Sequence, residues 1–123
     1  MDADRAEKLR GKQVLVVEDE YLIALALTDE LERCGAVVIG PVGSVSAALR
    51  LIETCQPDVA VLDIQLHTEA CYPAADVLIA RETPLLFTTG HDADLVPPLY
   101  QAIPCVQKPA EAGAVVEALA RLF

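Results

Sequence analysis

The sequence predicts a doubly wound α/β fold, with five parallel strands in one sheet and helices on both faces. Three observations predict it. Short apolar runs recur at 13–17, 36–39, 59–62, 85–88 and 104–107. Segments with a roughly 3.6-residue apolar period alternate with them. Most of the strand runs are apolar at nearly every position, as strands covered on both faces must be. Right-handed crossovers then leave few other arrangements.

Each element has its own signature. Gln13 to Val17 is a Val-rich buried strand. Tyr21 to Cys34 follows as an amphipathic helix, with Leu22, Ile23, Ala26, Leu27, Leu31 and Cys34 expected inward. Gly35 is its stop signal. Ala36 to Ile39 is the second strand, expected to end at Gly40-Pro41. Ser44 caps a helix through Cys55, with Ala48, Leu49 and Ile52 inward. Pro57-Asp58 turns the chain into a third strand, Val59 to Leu62, which ends at Asp63. Ile64 to Tyr72 reads as a loop, and Pro73 suits the first turn of a helix to about Arg81. Leu85 to Thr88 is the fourth strand, and 89–96 is loop. Pro97-Pro98 can only open a helix, so the fourth helix should be short. Pro104 to Gln107 is the fifth strand, and Ala110 to Leu122 the last helix, with Val115, Val116, Leu119 and Leu122 inward.

Length and composition bound the rest. A chain of 123 residues is one domain, here a charged lead-in over 1–12 and the folded unit over 13–123. Hydrophobic residues at 54% are too many for a disordered chain. Nine basic against 19 acidic residues, net −10, disfavour a nucleic-acid backbone and an anionic membrane surface. That balance suits a divalent cation or a basic protein patch. No run approaches about 18 apolar residues, so no membrane span is expected. The charged start, with Asp2, Asp4, Arg5, Glu7, Lys8 and Arg10, is no secretory signal. Cys34, Cys55, Cys71 and Cys105 include no Cys-x-x-Cys pair, so reduced thiols and a cytoplasmic setting are expected. His67 and Cys71 are four apart, but with no second ligand pair they make a poor zinc site.

The informative residues collect at the carboxyl ends of the strands, where this fold binds ligands. The first strand ends in Glu18-Asp19-Glu20, the third in Asp63, the fourth in Thr88-Thr89-Gly90 and the fifth in Lys108-Pro109. Carboxylates meeting at one edge repel unless a hard cation such as Mg2+ neutralises them. A lysine ammonium and a threonine hydroxyl can hold phosphoryl oxygens. The chemistry that fits is phosphoryl transfer to a carboxylate, with Asp63 as the nucleophile because it closes the central strand. Glu20 reads instead as helix-start chemistry, its charge suited to the positive end of the helix dipole.

These residues resemble the receiver domain of bacterial two-component response regulators. The matching stretches are Val14-Leu15-Val16-Val17-Glu18-Asp19-Glu20, Val59-Ala60-Val61-Leu62-Asp63, Phe87-Thr88-Thr89-Gly90 and Gln107-Lys108-Pro109. The resemblance implies the flavodoxin-like strand order 2-1-3-4-5. It implies that Asp63 accepts phosphate from a histidine kinase or phosphotransfer protein. It implies Mg2+ held by Glu18, Asp19, Asp63 and the backbone carbonyl of Gln65, with Thr89 as switch hydroxyl, Lys108 pairing the phosphate, and a cis Lys108-Pro109 bond. Phe87-Thr88-Thr89-Gly90-His91 and Tyr72-Pro73-Ala74-Ala75-Asp76 are also similar to a subgroup of single-domain receivers with a Phe-Ala-Thr-Gly-Tyr signature.

The chain departs from that pattern in places. The aromatic switch position holds Cys105, and the subgroup's Tyr position holds His91. The usual Pro after the acceptor is His67, and the usual aromatic after Lys-Pro is Ala110. Gln65 and His91 are placed to set the phosphoryl lifetime. Thr88 is expected to pack. Met1 reads as a native start, and with no DNA-binding module following, output would pass through another protein. A homodimer through the fourth helix, fifth strand and fifth helix is open. The alternatives are a phosphate sink or relay without its own output, and a Mg2+-dependent phosphoesterase. An aspartyl-nucleophile phosphatase needs a second Asp two residues on, where this chain has Tyr21 or Gln65. A phosphoacceptor switch rather than an enzyme is therefore expected.

Overall fold

A computed structural model describes residues 7–90 and 96–123. The elements are β1 (Gln13–Val17), α1 (Tyr21–Arg33), β2 (Val37–Val42), α2 (Val45–Thr54), β3 (Val59–Asp63), β4 (Gln65–Leu66), β5 (Glu69–Ala70), α3 (Tyr72–Ala80), β6 (Leu85–Thr89), a 3-10 turn (Pro98–Tyr100), β7 (Cys105–Gln107) and α4 (Ala112–Ala120). Five strands form one sheet in the order β2-β1-β3-β6-β7, every neighbouring pair parallel. Counted along the chain as sheet strands, this is the expected order 2-1-3-4-5.

Two cores follow from the period-two geometry of strands. Leu15, Val17, Ala60, Leu62 and Phe87 face one side and pack with Ala48 and Ile52 of α2 and Ala75 and Leu78 of α3. Val14, Val16, Val59, Val61 and Leu86 face the other and pack with Leu27 and Leu31 of α1 and Val116 and Leu119 of α4. Burying each Val, Leu, Ile or Phe side chain among them contributes about 1.5–3 kcal/mol. Leu9, inside the charged lead-in, is also fully buried in the second core.

The local signals at Gly35 and Ser44 act as their chemistry requires. Gly35 takes φ +80 after α1. The Ser44 hydroxyl accepts the Ala47 N–H at 3.2 Å. The short fourth helix is the three-residue 3-10 turn, so the described elements after β1 include four α-helices rather than five.

Three expectations are corrected. The stripe on α1 is rotated: Ala24, Leu27 and Leu31 are buried, while Leu22, Ile23 and Ala26 are exposed. Leu22, Ile23 and Ala26 line an open groove beside α4. Second, β2 does not end at Gly40-Pro41 but continues to Val42 through a cis Gly40–Pro41 bond. Gly40 has φ +95, and a Cβ there would lie 3.0 Å from the Val42 nitrogen. Glycine alone fits. Third, the segment after Asp63 is not all loop. β4 and β5 pair antiparallel as a small hairpin, with His67 at φ +53 near its tip. His67 and Cys71 therefore share no helix face.

Candidate functional site

The parallel register builds the site. Val17 pairs with Leu62, so Glu18 and Asp63 emerge side by side where β1 and β3 end. Thr89 pairs with Gln107, and the Lys108 N–H donates to the Thr89 carbonyl at 2.7 Å. The Lys108 side chain reaches back over the sheet edge. Its Nζ donates to Glu18 Oε2 at 2.9 Å and to Asp63 Oδ2 at 3.0 Å. The long lysine side chain lets one ammonium join these strand ends.

The cluster is buried. Glu18 is 6% exposed, Asp63 5% and Thr89 2%. Glu18 Oε1 also accepts the Glu20 N–H at 3.1 Å, while the Glu20 side chain caps nothing and lies 4.0 Å from Lys108. The extension of β2 matters here, because the Glu18 N–H donates to the Val42 carbonyl at 2.8 Å. Glu18, Asp19 and Asp63 offer carboxylate oxygens within 4.8 Å of one another. Gly43 lets the β2–α2 loop approach Asp19, since a Cβ there would sit 3.3 Å from the Asp19 Cα.

Electrostatics make this edge receptive to a cation. Burial raises the Glu18 carboxyl above its ordinary value, against the pull of Lys108. Burial alone would lower the Lys108 ammonium, but its hydrogen bonds to Glu18 and Asp63 outweigh that and hold it above the ordinary lysine value. Three carboxylates against one ammonium leave two negative charges. A divalent ion taking carboxylate oxygens balances them, so the donor set fits one.

The other expected residues lie around this centre. Gln65 opens β4, and its amide donates to the His67 carbonyl at 3.0 Å. Thr88 is buried and pairs with Asp63 across the sheet. Cys105 is half-buried on β7 against the first core, its thiol pushed up by that burial. The Lys108–Pro109 bond is cis. His91 lies outside the described residues.

Two groupings escaped the sequence reasoning. The His67 N–H donates to Asp19 Oδ2 at 2.8 Å, and its ring Nδ1 stands 3.4 Å from the same oxygen. The absence of the usual Pro marked position 67, but no pattern tied it to Asp19. On the first-core side of the sheet, Tyr72 stacks on Tyr100 at 4.3 Å, and Phe87 meets both edge-on at 6.1 and 6.3 Å. The Tyr100 hydroxyl donates to Asp76 at 2.7 Å. A groove of about 720 Å³ also opens beside Lys108, lined by Leu22, Ile23 and Ala26 of α1 and by Pro109, Ala110 and Ala112.

Comparison with known proteins agrees with this geometry. The family model for the response regulator receiver domain matches residues 14–120. The sensory transduction protein LytT of Bacillus cereus is 32% identical over 111 residues, covering 87% of this chain and 45% of LytT. The chain thus spans less than half the length of that relative. The solution structure of SdrG from Sphingomonas melonis Fr1 superposes with a TM-score of 0.78 at 38% identity, covering 100% of both chains. The BeF3-activated conformation of SdrG gives a TM-score of 0.75 at 40% identity, over 89% of this chain and 94% of that one.

Proposed function

The chain belongs to the response regulator receiver family, and from that premise we propose that Asp63 accepts a phosphoryl group from a histidine kinase or histidine phosphotransfer protein. The observation that carries the assignment is the Lys108 ammonium, held at 2.9 and 3.0 Å between Glu18 and Asp63 in a buried acidic cluster. The Asp63 carboxylate forms the new O–P bond as the donor's N–P bond breaks, and the electron pair returns to the donor imidazole. Glu18, Asp19, Asp63 and the Gln65 carbonyl are the residues that would hold Mg2+. That ion supplies charge neutralisation for the transferring phosphoryl group. Lys108 pairs with a phosphoryl oxygen, and Thr89 offers its hydroxyl to another. Gln65 lies two residues after the acceptor and His91 two after the switch threonine, and we assign them the phosphoryl lifetime. The chain's own chemistry is then limited to gaining this group and losing it to water.

Output passes to a protein partner. The groove between α1 and α4 has apolar walls and an acidic rim from Glu20 and Glu111, which supports docking of a phosphodonor with basic flanks next to Asp63. Leu99, 78% exposed on the 3-10 turn, supports the face of that turn, β7 and α4 as the homodimer or output surface. Among the described residues no helix is long and apolar enough to cross a membrane. Four free thiols support a reducing, cytoplasmic setting.

Beryllofluoride with Mg2+ tests the reading, since it stands in for an aspartyl phosphate. Amide shifts centred on Asp63, Thr89 and Lys108 are expected, and Asp63→Asn should lose them. The same shifts retained by Asp63→Asn would place the acceptor elsewhere.

A further inference from the structure

The β4–β5 hairpin is fastened to two separate parts of the molecule. Its base is set by the core and the sheet: Leu66 is buried, the Ile64 N–H donates to the Thr88 carbonyl at 2.9 Å, and the Cys71 N–H donates to the Ile64 carbonyl at 2.8 Å. Its tip is tied to the acidic cluster, where the His67 N–H donates to Asp19 Oδ2 at 2.8 Å. His67 holds that position at φ +53, and the Gln65 side-chain amide donates to its carbonyl at 3.0 Å. The far arm is tied to α2, where Glu69 Oε2 accepts the Val45 N–H at 3.2 Å. Val45 is the first residue of α2, an end whose N–H groups lack helical partners and favour a carboxylate. At position 67 the receiver resemblance expects Pro, which has no N–H to give. The bond to Asp19 therefore depends on this chain's own residue.

We propose that the hairpin is a brace for the cation site: the His67 backbone N–H orients the Asp19 carboxylate, and Glu69 holds the hairpin in place through its bond to α2. The proposal rests on the reading of Glu18, Asp19 and Asp63 as a divalent-cation site. His67 and Glu69 are positioning residues that act through Asp19 rather than on the ion. Lys108 already fixes Glu18 and Asp63, and the hairpin does the corresponding work for Asp19. A carboxylate with one oxygen held by an N–H presents the other in a set direction, so less ordering is left for the ion to impose. The hairpin also begins at Gln65, whose carbonyl is assigned to the same ion, so one unit places two of its ligands. Coupling of this kind is reciprocal: the ion in turn tightens the hairpin. The His67 ring, 84% exposed, is not part of the brace.

Mg2+ is the probe, with its affinity for the full chain read by calorimetry and the His67 amide followed by hydrogen exchange. Glu69→Ala removes the tie to α2 at an exposed position outside the cluster. It should raise the Mg2+ dissociation constant by about 5-fold. Glu69→Gln keeps an oxygen acceptor for the Val45 N–H and should bind as the wild type does. His67→Asn keeps the N–H and tolerates the positive φ, so it too should bind as the wild type does. Mg2+ should slow exchange of the His67 amide in the wild type, and less so in Glu69→Ala. Unchanged affinity in Glu69→Ala, or a His67 amide indifferent to Mg2+ in the wild type, would overturn the brace. Equal weakening in Glu69→Gln would trace the effect to lost charge, and weakening in His67→Asn would trace it to the ring; either result overturns the brace too and leaves the carboxylate site standing. Failure of the wild type to bind Mg2+ would instead overturn the cation site itself.

Discussion

The carboxyl edge and the aromatic cluster beside β6 are both buried and both join distant parts of the chain, yet they are held by opposite means. At the edge, Glu18, Asp63 and Lys108 bring charge into the interior with net negative excess. In the cluster, Tyr72, Phe87 and Tyr100 are neutral rings meeting at favourable angles, with one hydroxyl tied to Asp76. The charged edge carries an excess of negative charge that a divalent cation would balance. The aromatic cluster is satisfied as it stands. A receiver needs one region that responds to phosphate and another that keeps the sheet and the 3-10 turn in place while it does.

The largest way to break this contrast is Lys108→Met, which leaves Glu18 and Asp63 buried without a counter-charge. A loss of about 3 kcal/mol is expected from urea unfolding without metal, with part of it restored by Mg2+. Mg2+ itself sharpens the contrast. At about 100-fold excess over its dissociation constant it should add about 2.7 kcal/mol to the wild type, and much less to Asp19→Asn. Tyr100→Phe should cost about 1 kcal/mol from its lost hydrogen bond, with or without Mg2+. A cost that depends on Mg2+ would mean that the two regions are coupled.

The smallest effect is a titration. The hydrogen bond to Asp76, with burial and the Asp76 charge, raises the Tyr100 phenol from 10.0 to about 12. Its folded value lies above its unfolded value, so the contribution is complete below about pH 10 and fades as pH rises toward 12. Absorbance near the phenolate band should show a tyrosine titrating at about 12, returning toward the ordinary value in Asp76→Asn, while burial keeps Tyr72 raised.

The same contrast explains what the sequence made legible. The candidate site residues lie at or just past the ends of apolar runs, so finding the strands placed Glu18, Asp19, Asp63, Thr89 and Lys108 at one sheet edge. Gly35 and Ser44 were readable because their chemistry is local. The aromatic trio was not, because nothing in the sequence pairs residues 72, 87 and 100. The inward face of α1 was misjudged because hydrophobicity favours Leu22 and Ile23, whereas these line an open groove and the buried position is Ala24. The β4–β5 hairpin was missed because two-residue strands carry no periodic signal, and with it went the contact of His67 on Asp19.

The central claim is that Asp63 is the phosphoacceptor of a metal-dependent cluster. Peptide mass mapping after incubation with a phosphorylated histidine phosphotransfer protein tests it most directly. The account predicts one base-labile acyl phosphate on Asp63, formed with a divalent cation, absent after chelation and absent in Asp63→Asn. Label of equal yield in Asp63→Asn, or on another carboxylate of the wild type, would contradict it.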